Sequence, residues 1–225
     1  VGHFGMAGTY LWVAGTQACV VLTDREFGDW AKPLWQETNT ALWDALFLDV
    51  FQLRLGAAIA PLIARLHADL AADVPPVLSL RDFHAENLIW RGNAPLGLID
   101  YQDAVACHPA YDLVSALQDA RRDVGPRVEA ACIARYLAAT GLDDDRFRAA
   151  YALLGAQRNL RIMGIFTRLC IRDGKPRYLD FMPRVWGYVR RNLAHPALAP
   201  LADAVVALPA PDIAVIERIR DRCAR

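Results

Sequence analysis

The sequence predicts an α+β fold in which a few short strands precede a mainly helical lobe. Three apolar runs, at residues 77–80, 88–90 and 96–99, are each short enough for a strand. Residues 91–95, between the last two runs, have the Gly, Asn and Pro of a turn. From residue 105 onward, Pro and Gly divide the chain into longer segments of helical composition. We therefore expect a small β-hairpin at the mouth of a helical lobe.

Helix ends can be assigned from residues that favour them. Pro109 and Asp112 would open a first helix running to about Arg122, and Pro126 would open a second one that closes before Gly141. Further helices are expected at about residues 145–172, at about 178–195 and from Ile213 onward.

Composition favours an ordinary globular chain. With 225 residues, of which 55% are hydrophobic and 22% charged, the chain can bury a sizeable core. The formal net charge of zero argues against a nucleic-acid partner bound through bulk charge. The sequence shows neither a signal-peptide pattern nor an apolar run of membrane-spanning length, so we expect no membrane partner and a cytoplasmic location.

The five cysteines stand singly along the sequence, at positions 19, 107, 132, 170 and 223. Because their number is odd and no C-x-x-C pair occurs, we expect neither a disulfide framework nor a zinc site. This usage indicates a reducing compartment.

The most informative segment lies around the predicted hairpin. Asp82 and Asn87 follow the first apolar run, five residues apart, and Asp100 ends the last run. If the runs are neighbouring strands, these side chains lie at strand ends around one cleft. Carboxylate and amide oxygens suit Mg²⁺, which keeps part of its water and needs few protein ligands beside nucleotide phosphates. The layout is that of a phosphoryl-transfer site, with Asp82 as the base and Asn87 and Asp100 as the metal ligands.

Each of these residues has a simpler interpretation when taken alone. An Asp at a strand end is usually a turn or helix-cap residue, and an Asn after a loop often forms a hydrogen-bonded corner. The combination of D-x-x-x-x-N with Ile99-Asp100, and with P-A-Y-D-L at residues 109–113, favours the catalytic interpretation.

Three motifs resemble the aminoglycoside phosphotransferase family of protein-kinase-like small-molecule kinases. They are R-D-F-H-A-E-N-L at 81–88, I-D-Y-Q-D-A at 99–104 and H-P-A-Y-D-L-V-S at 108–115. They look most like the bacterial branch that phosphorylates N-acetylmuramate and N-acetylglucosamine at the anomeric hydroxyl. The resemblance covers about residues 75–200 and implies a protein-kinase-like fold, with ATP and Mg²⁺ as cofactors and a small-molecule acceptor. One departure is Leu80, which stands where the family usually has His.

The resemblance is poor over the first thirty residues. A kinase-like fold has an N-terminal lobe with a phosphate-covering loop and a Lys on a strand. The two lysines of this chain, Lys32 and Lys175, lie outside the predicted strands. We therefore expect an incomplete N-terminal lobe, with weak ATP binding and slow turnover by the chain as given.

The expected domain organisation follows from this. Residues 1–31 would be a remnant of the N-terminal lobe and the hinge, and residues 32–225 the helical C-terminal catalytic lobe. The hinge residues implied to offer backbone groups to adenine are Leu22, Thr23 and Asp24.

Three residues near the motifs are expected to support the site. The resemblance implies that Asp112 hydrogen-bonds the backbone of the catalytic loop, although a helix N-cap is also possible. Asp103 would support the metal site or cap its loop. His84 would orient the acceptor or hold the loop in shape.

The long predicted helix carries a polar stripe. Arg168 and Arg172 are expected on a solvated face. Gln157, Arg158 and Arg161 have apolar neighbours on both sides, and either a solvated face or acceptor binding remains open. The arginine fork suits a carboxylate, and the lack of Glu in residues 145–172 favours a neutral or anionic sugar over a cationic aminoglycoside.

Two functions from different classes remain. The first is an ATP-dependent phosphotransferase that moves the γ-phosphate to a hydroxyl of a small metabolite, an amino sugar of cell-wall recycling. The second is a truncated, catalytically impaired kinase-like protein that binds nucleotide or a partner without turnover. A helical interaction module with coincidental motifs is a distant third.

Overall fold

The computed structural model describes residues 9–12, 19–22, 56–102, 104–206 and 208–224. Strands β1 (Thr9–Trp12) and β2 (Cys19–Leu22) pair antiparallel. Several predictions concern residues outside these ranges. They are the domain boundary at 31/32, Lys32, the hinge residues Thr23 and Asp24, and Asp103.

Two further two-stranded sheets lie at the front of the helical lobe. β4 (Leu88–Ile89) and β5 (Gly97–Leu98) form the predicted hairpin. The predicted turn between them contains Gly92, whose φ of +64° is a conformation that favours glycine. β3 (Val77–Ser79) pairs instead with β6 (Val105–Cys107), a strand that the sequence analysis missed. The two sheets bring the ends of β3 and β5 to the same region.

The rest of the described chain is mainly helical, as expected. The α-helices are α1 (Gly56–Leu70), α2 (Ala110–Leu117), α3 (Pro126–Thr140), α4 (Asp144–Ile171), α5 (Met182–Leu193), α6 (Ala199–Val205) and α7 (Ile213–Arg220). Short 3₁₀ helices occur at Ala85–Asn87, Pro176–Phe181 and Pro196–Leu198.

The helix ends follow the residues that favour them, with two differences. Gly141, at φ +70°, closes α3, and the Asp143 carboxylate caps α4 by accepting the Arg146 N–H at 2.9 Å. The predicted helix at 178–195 is split, because Pro183 has no N–H and fits the first turn of α5. The first helix ends at Leu117 instead of about Arg122, since the Asp119 side chain turns the chain by accepting the Arg121 N–H.

Helix α4 lies at the centre of the lobe, where α1, α2, α5 and α7 all pack against it. Three clusters of buried apolar side chains surround it. They are centred on Leu153 and Leu160 against α1, on Phe147 and Leu154 against α2, and on Phe166 against α5 and α7. No described helix is long and apolar enough to cross a membrane.

The prediction from cysteine usage was wrong for one pair. Cys170, near the end of α4, forms a disulfide with Cys223, and their Cα atoms are 4.8 Å apart. Because 53 residues separate the two, the pairing depends on α7 packing against α4 and has no local signal. Closing a loop of this length stabilises the fold by roughly 4 kcal/mol on a chain-entropy account. A disulfide is typical of oxidising surroundings, so this pair does not support the expected reducing compartment.

His108, between β6 and α2, makes stability dependent on pH. Its Nδ1 accepts the Ala110 N–H at 3.1 Å, and burial, with a contribution from His67, lowers its pKa from 6.5 to about 4. As the pH falls, His108 is therefore protonated at a higher pH in the unfolded chain than in the folded protein. The contribution to stability is fully present above pH 6.5 and is lost as the pH falls from 6.5 towards 4. A shift of this size corresponds to about 3 kcal/mol.

Urea unfolding at pH 7.5 and pH 4.5 measures this contribution. In His108→Asn, the amide oxygen can accept the same N–H without titrating. We expect the stability of this variant to fall less than that of the wild type between the two pH values. The same fall in both proteins would contradict the assignment.

Candidate active site

Asp112, in the first turn of α2, fixes the loop of residues 80–84 that follows β3. Its carboxylate accepts hydrogen bonds from Ser79 Oγ at 2.6 Å, from the Leu80 N–H at 2.8 Å and from the Arg81 N–H at 3.1 Å. Burial raises its pKa, and these three bonds oppose that effect. The 80–84 loop is therefore attached to α2 through the half-buried Asp112 carboxylate.

Two residues of the site adopt left-handed backbone conformations. Arg81 has φ +64° and Asp100 has φ +61°. Such conformations are uncommon for residues other than glycine, and they persist where surrounding contacts hold them. Each lies beside or at a candidate catalytic residue, since Arg81 directly precedes Asp82.

Asn87 brings the candidate catalytic residues together. Its Nδ2 donates to the main-chain oxygen of Asp82 at 2.8 Å and to Oδ2 of Asp100 at 3.3 Å. Its main-chain oxygen accepts the Ile99 N–H at 3.1 Å, which ties it to the strand that leads to Asp100. Asp82 and Asp100 are both exposed, so a substrate and a nucleotide can reach them.

The donor set fits Mg²⁺. The Asp100 carboxylate and the Asn87 amide lie within hydrogen-bonding distance, and a half-turn of the amide would direct its oxygen instead of Nδ2 to the same place. Gln102 Nε2 donates to Asp100 Oδ1 at 2.6 Å and orients the carboxylate. The described residues contain no cluster of three or more His, Cys, Asp or Glu side chains suited to a metal, so phosphate oxygens and water would complete the coordination.

His84 turns its side chain into the lobe. The ring is buried, and its Nδ1 has no hydrogen-bond partner among the described residues. Burial lowers its pKa; Arg121 adds to this effect, whereas Asp119 and Asp82 oppose it. The main-chain N–H of His84 donates to the Asp82 carbonyl at 2.9 Å, so the residue also shapes the 80–84 loop.

The polar residues of α4 divide into two groups. Arg168 and Arg172 are exposed, which confirms the predicted solvated face. Gln157 and Arg158 are buried, with exposed fractions of 3% and 7%, and Arg161 is half-buried. Gln157 Oε1 and Arg158 Nη1 have no hydrogen-bond partner among the described residues. A solvated face is thus wrong for Gln157 and Arg158, and acceptor binding stays a prediction.

Sequence reasoning missed two serines that hold the site together. Ser79 donates to Asp112, and Ser115 Oγ donates to the Arg81 carbonyl at 3.0 Å. Both serines are almost fully buried. A buried serine has no sequence pattern that identifies it. The one indication was the position of Ser115 at the end of the H-P-A-Y-D-L-V-S motif.

The sequence places this site in a known class. Residues 17–151 match the Phosphotransferase enzyme family, and the chain belongs to that family. Family membership implies a protein-kinase-like fold, with which the small sheets and the mainly helical lobe agree.

The curated proteins similar to this chain carry one name. The N-acetylmuramate/N-acetylglucosamine kinase of Caulobacter vibrioides is 53% identical over 147 residues, which are 63% of this chain and 39% of that protein. The proteins of the same name from Pseudomonas putida and Pseudomonas aeruginosa are 34% and 37% identical, over 66% and 62% of this chain and 46% and 43% of theirs. The chain thus spans less than half the length of these relatives. The resemblance described from the motifs is confirmed.

Proposed function

We propose that this chain forms the catalytic lobe of an ATP-dependent phosphotransferase. It would move the γ-phosphate to a hydroxyl of a small metabolite, an amino sugar of cell-wall recycling. The observation that carries the proposal is the Asn87 amide, which lies within hydrogen-bonding distance of the Asp82 backbone and the Asp100 carboxylate. The names of the relatives support this reaction and do not favour a kinase-like protein without turnover.

The three residues would have separate roles. Asp82 would accept the proton of the acceptor hydroxyl, for which an exposed carboxylate within a fixed loop is suited. Asp100 and Asn87 would hold Mg²⁺, which neutralises charge on the nucleotide phosphates. Asp103 would support Asp100, and Leu22, Thr23 and Asp24 would form the adenine hinge.

The acceptor would lie against the middle of α4. Two buried polar atoms there, Gln157 Oε1 and Arg158 Nη1, have no hydrogen-bond partner among the described residues. Buried polar atoms are usually hydrogen-bonded, so a bound acceptor would supply the missing partner. Arg161 is half-buried one helical turn further along. The only acidic residues in α4 are Asp144 and Asp145 in its first turn, so its middle suits a neutral or anionic sugar.

The location and partners are part of the proposal. A kinase that uses ATP and recycles cell-wall sugars would act in the cytoplasm, with no nucleic-acid or membrane partner. The Cys170–Cys223 disulfide is the observation that opposes a reducing location.

A phosphorylation panel tests the acceptor. The full-length protein, which would include a complete N-terminal lobe, is incubated with labelled Mg-ATP and N-acetylmuramate, N-acetylglucosamine, kanamycin or choline. We expect transfer to the amino sugars, and selective loss of the N-acetylmuramate reaction in Arg161→Ala, since arginine can bind both carboxylate oxygens. Arg168→Ala, an exposed arginine on the same helix, is the matched control. A preference for kanamycin or choline would refute the acceptor class.

A further inference from the structure

Two hydrogen bonds in series connect α4 to the 80–84 loop. Arg158 Nη2 donates to Ser115 Oγ at 2.8 Å, and Ser115 Oγ donates to the Arg81 main-chain oxygen at 3.0 Å. A guanidinium has no acceptor and a carbonyl has no donor, so the hydroxyl proton must point at the carbonyl. The donor and acceptor capacities of the serine thus fix the polarity of the whole chain of bonds.

This hydrogen-bond chain ends at the residue before Asp82. Arg81 has φ +64°, and its N–H is already bound by Asp112. Its carbonyl belongs to the same rigid peptide plane as the N–H of Asp82. Asp112 therefore holds the N–H of the left-handed Arg81, and Ser115 holds its carbonyl. Together the two contacts determine the direction of the Asp82 residue that follows.

The charge of Arg158 suits this position. The Arg158 side chain is 7% exposed, and its positive charge lowers the pKa of the half-buried Asp112 carboxyl, against the effect of desolvation. A hydrogen bond donated by an ionised group is also stronger than a neutral one. One buried guanidinium thus stabilises both groups that hold Arg81, Asp112 through its charge and Ser115 through a hydrogen bond.

We infer that Arg158 is a positioning residue for phosphoryl transfer, which acts through Ser115 on the Arg81 carbonyl and so on the direction of Asp82. The inference rests on the proposed function. It assigns the Nη2 end of the guanidinium to the loop and leaves Nη1 to the acceptor. The two roles can be tested separately, because Ser115 bonds to Nη2 of Arg158 and not to Nη1.

Steady-state kinetics of Ser115→Ala, Arg158→Met and the double variant test the inference. We expect Ser115→Ala to lower kcat by about 10²-fold through misplacement of Asp82, with the KM for Mg-ATP and for the acceptor unchanged. Arg158→Met should lower kcat at least as far, because the guanidinium also stabilises Asp112 through its charge. The double variant should lose no more kcat than Arg158→Met alone, since both changes break one chain of bonds.

Hydrogen exchange gives a readout that does not depend on activity. The amides of Asp82 and His84, which donate to the Leu80 and Asp82 carbonyls, should exchange faster in both single variants. Arg168→Met, an exposed arginine on α4, should leave kcat and exchange unchanged. Ser115→Ala removes one oxygen and keeps the charge of Arg158. This variant therefore still tests the positioning role if Arg158→Met fails to fold.

The outcomes separate this inference from the proposed function. Wild-type kcat and unchanged amide exchange in Ser115→Ala would overturn the positioning role, as would additive kcat losses in the double variant. If the full-length wild-type protein phosphorylates none of the acceptors, the proposed function fails. In that case, faster exchange in Ser115→Ala would still establish the hydrogen-bond chain, and unchanged exchange would refute it.

Discussion

Asp100→Asn should abolish magnesium-dependent nucleotide binding, whereas Asp82→Ala should leave binding nearly intact and remove turnover. Asp100 would contribute the charged oxygen that Mg²⁺ requires, while Asp82 would act on the acceptor after the nucleotide is bound. Loss of a general base costs about 10²- to 10⁴-fold in kcat. Titration calorimetry with Mg-ATP, combined with single-turnover rates, measures the two effects separately.

Asparagine is the better substitution at position 100 because the backbone there is left-handed. Asp100 has φ +61°, a conformation that asparagine tolerates and alanine disfavours, so Asp100→Asn removes charge with little added strain. Asp82 contacts Asn87 through its main-chain oxygen, and Asp82→Ala therefore keeps that bond. Asp69→Ala, at an exposed position on α1, is the control for both. Equal loss of nucleotide binding in the two variants would sink the assignment of roles.

Local signals in the sequence were sufficient for the hairpin and for most helices. Such signals act within a few residues of the element that they mark, and the structure has the expected element at each. Examples are the turn composition at residues 91–95, Pro126 at the start of α3 and Gly141 at its end. β6 was missed because its three residues lack a clear alternating pattern and form a strand by pairing with β3. Pairing over such a distance leaves no local signal.

The groups of the candidate site were expected from the sequence, whereas their support was expected only in part, at Asp112 through the family resemblance. Asp82, Asn87 and Asp100 were identified from spacing, and the structure brings them together through one amide. The left-handed conformation of Arg81 depends on Asp112 and Ser115, which lie more than thirty residues further along the chain. Sequence spacing indicates the chemistry, whereas tertiary contacts decide how rigidly it is held.

The middle of α4 shows why helical periodicity alone misled. The polar stripe is exposed at Arg168 and Arg172 but buried at Gln157 and at Arg158, which bonds to Ser115 of α2. The neighbouring Asn159 is also fully buried, and its Nδ2 is satisfied by donating to Gln118 Oε1 at 2.7 Å. Gln118 in turn donates to Asn192 on α5 at 3.1 Å. These partners lie on other helices, so the period of one helix could not reveal them.

Asp112→Ala is expected to affect both stability and turnover. It would leave the Ser79 hydroxyl and the Leu80 and Arg81 N–H groups without this acceptor, and the buried charge of Arg158 would lose its favourable interaction with the Asp112 carboxylate. The expected loss is about 3 to 5 kcal/mol in the free energy of unfolding. Turnover should fall at least as far as in Ser115→Ala, because the 80–84 loop loses its attachment at two points, Leu80 and Arg81, instead of one.

Asp112→Asn separates the two contributions of this residue. The amide keeps one acceptor oxygen for the loop but has no charge to compensate Arg158, so we expect values between those of wild type and Asp112→Ala. Urea unfolding at pH 7.5 and kcat are measured on each variant, with Asp123→Ala at an exposed position as the control. Wild-type stability and kcat in Asp112→Ala would show that the Asp112 carboxylate does not hold the loop. Lower stability with wild-type kcat would mean that the fold depends on Asp112 while the direction of Asp82 does not.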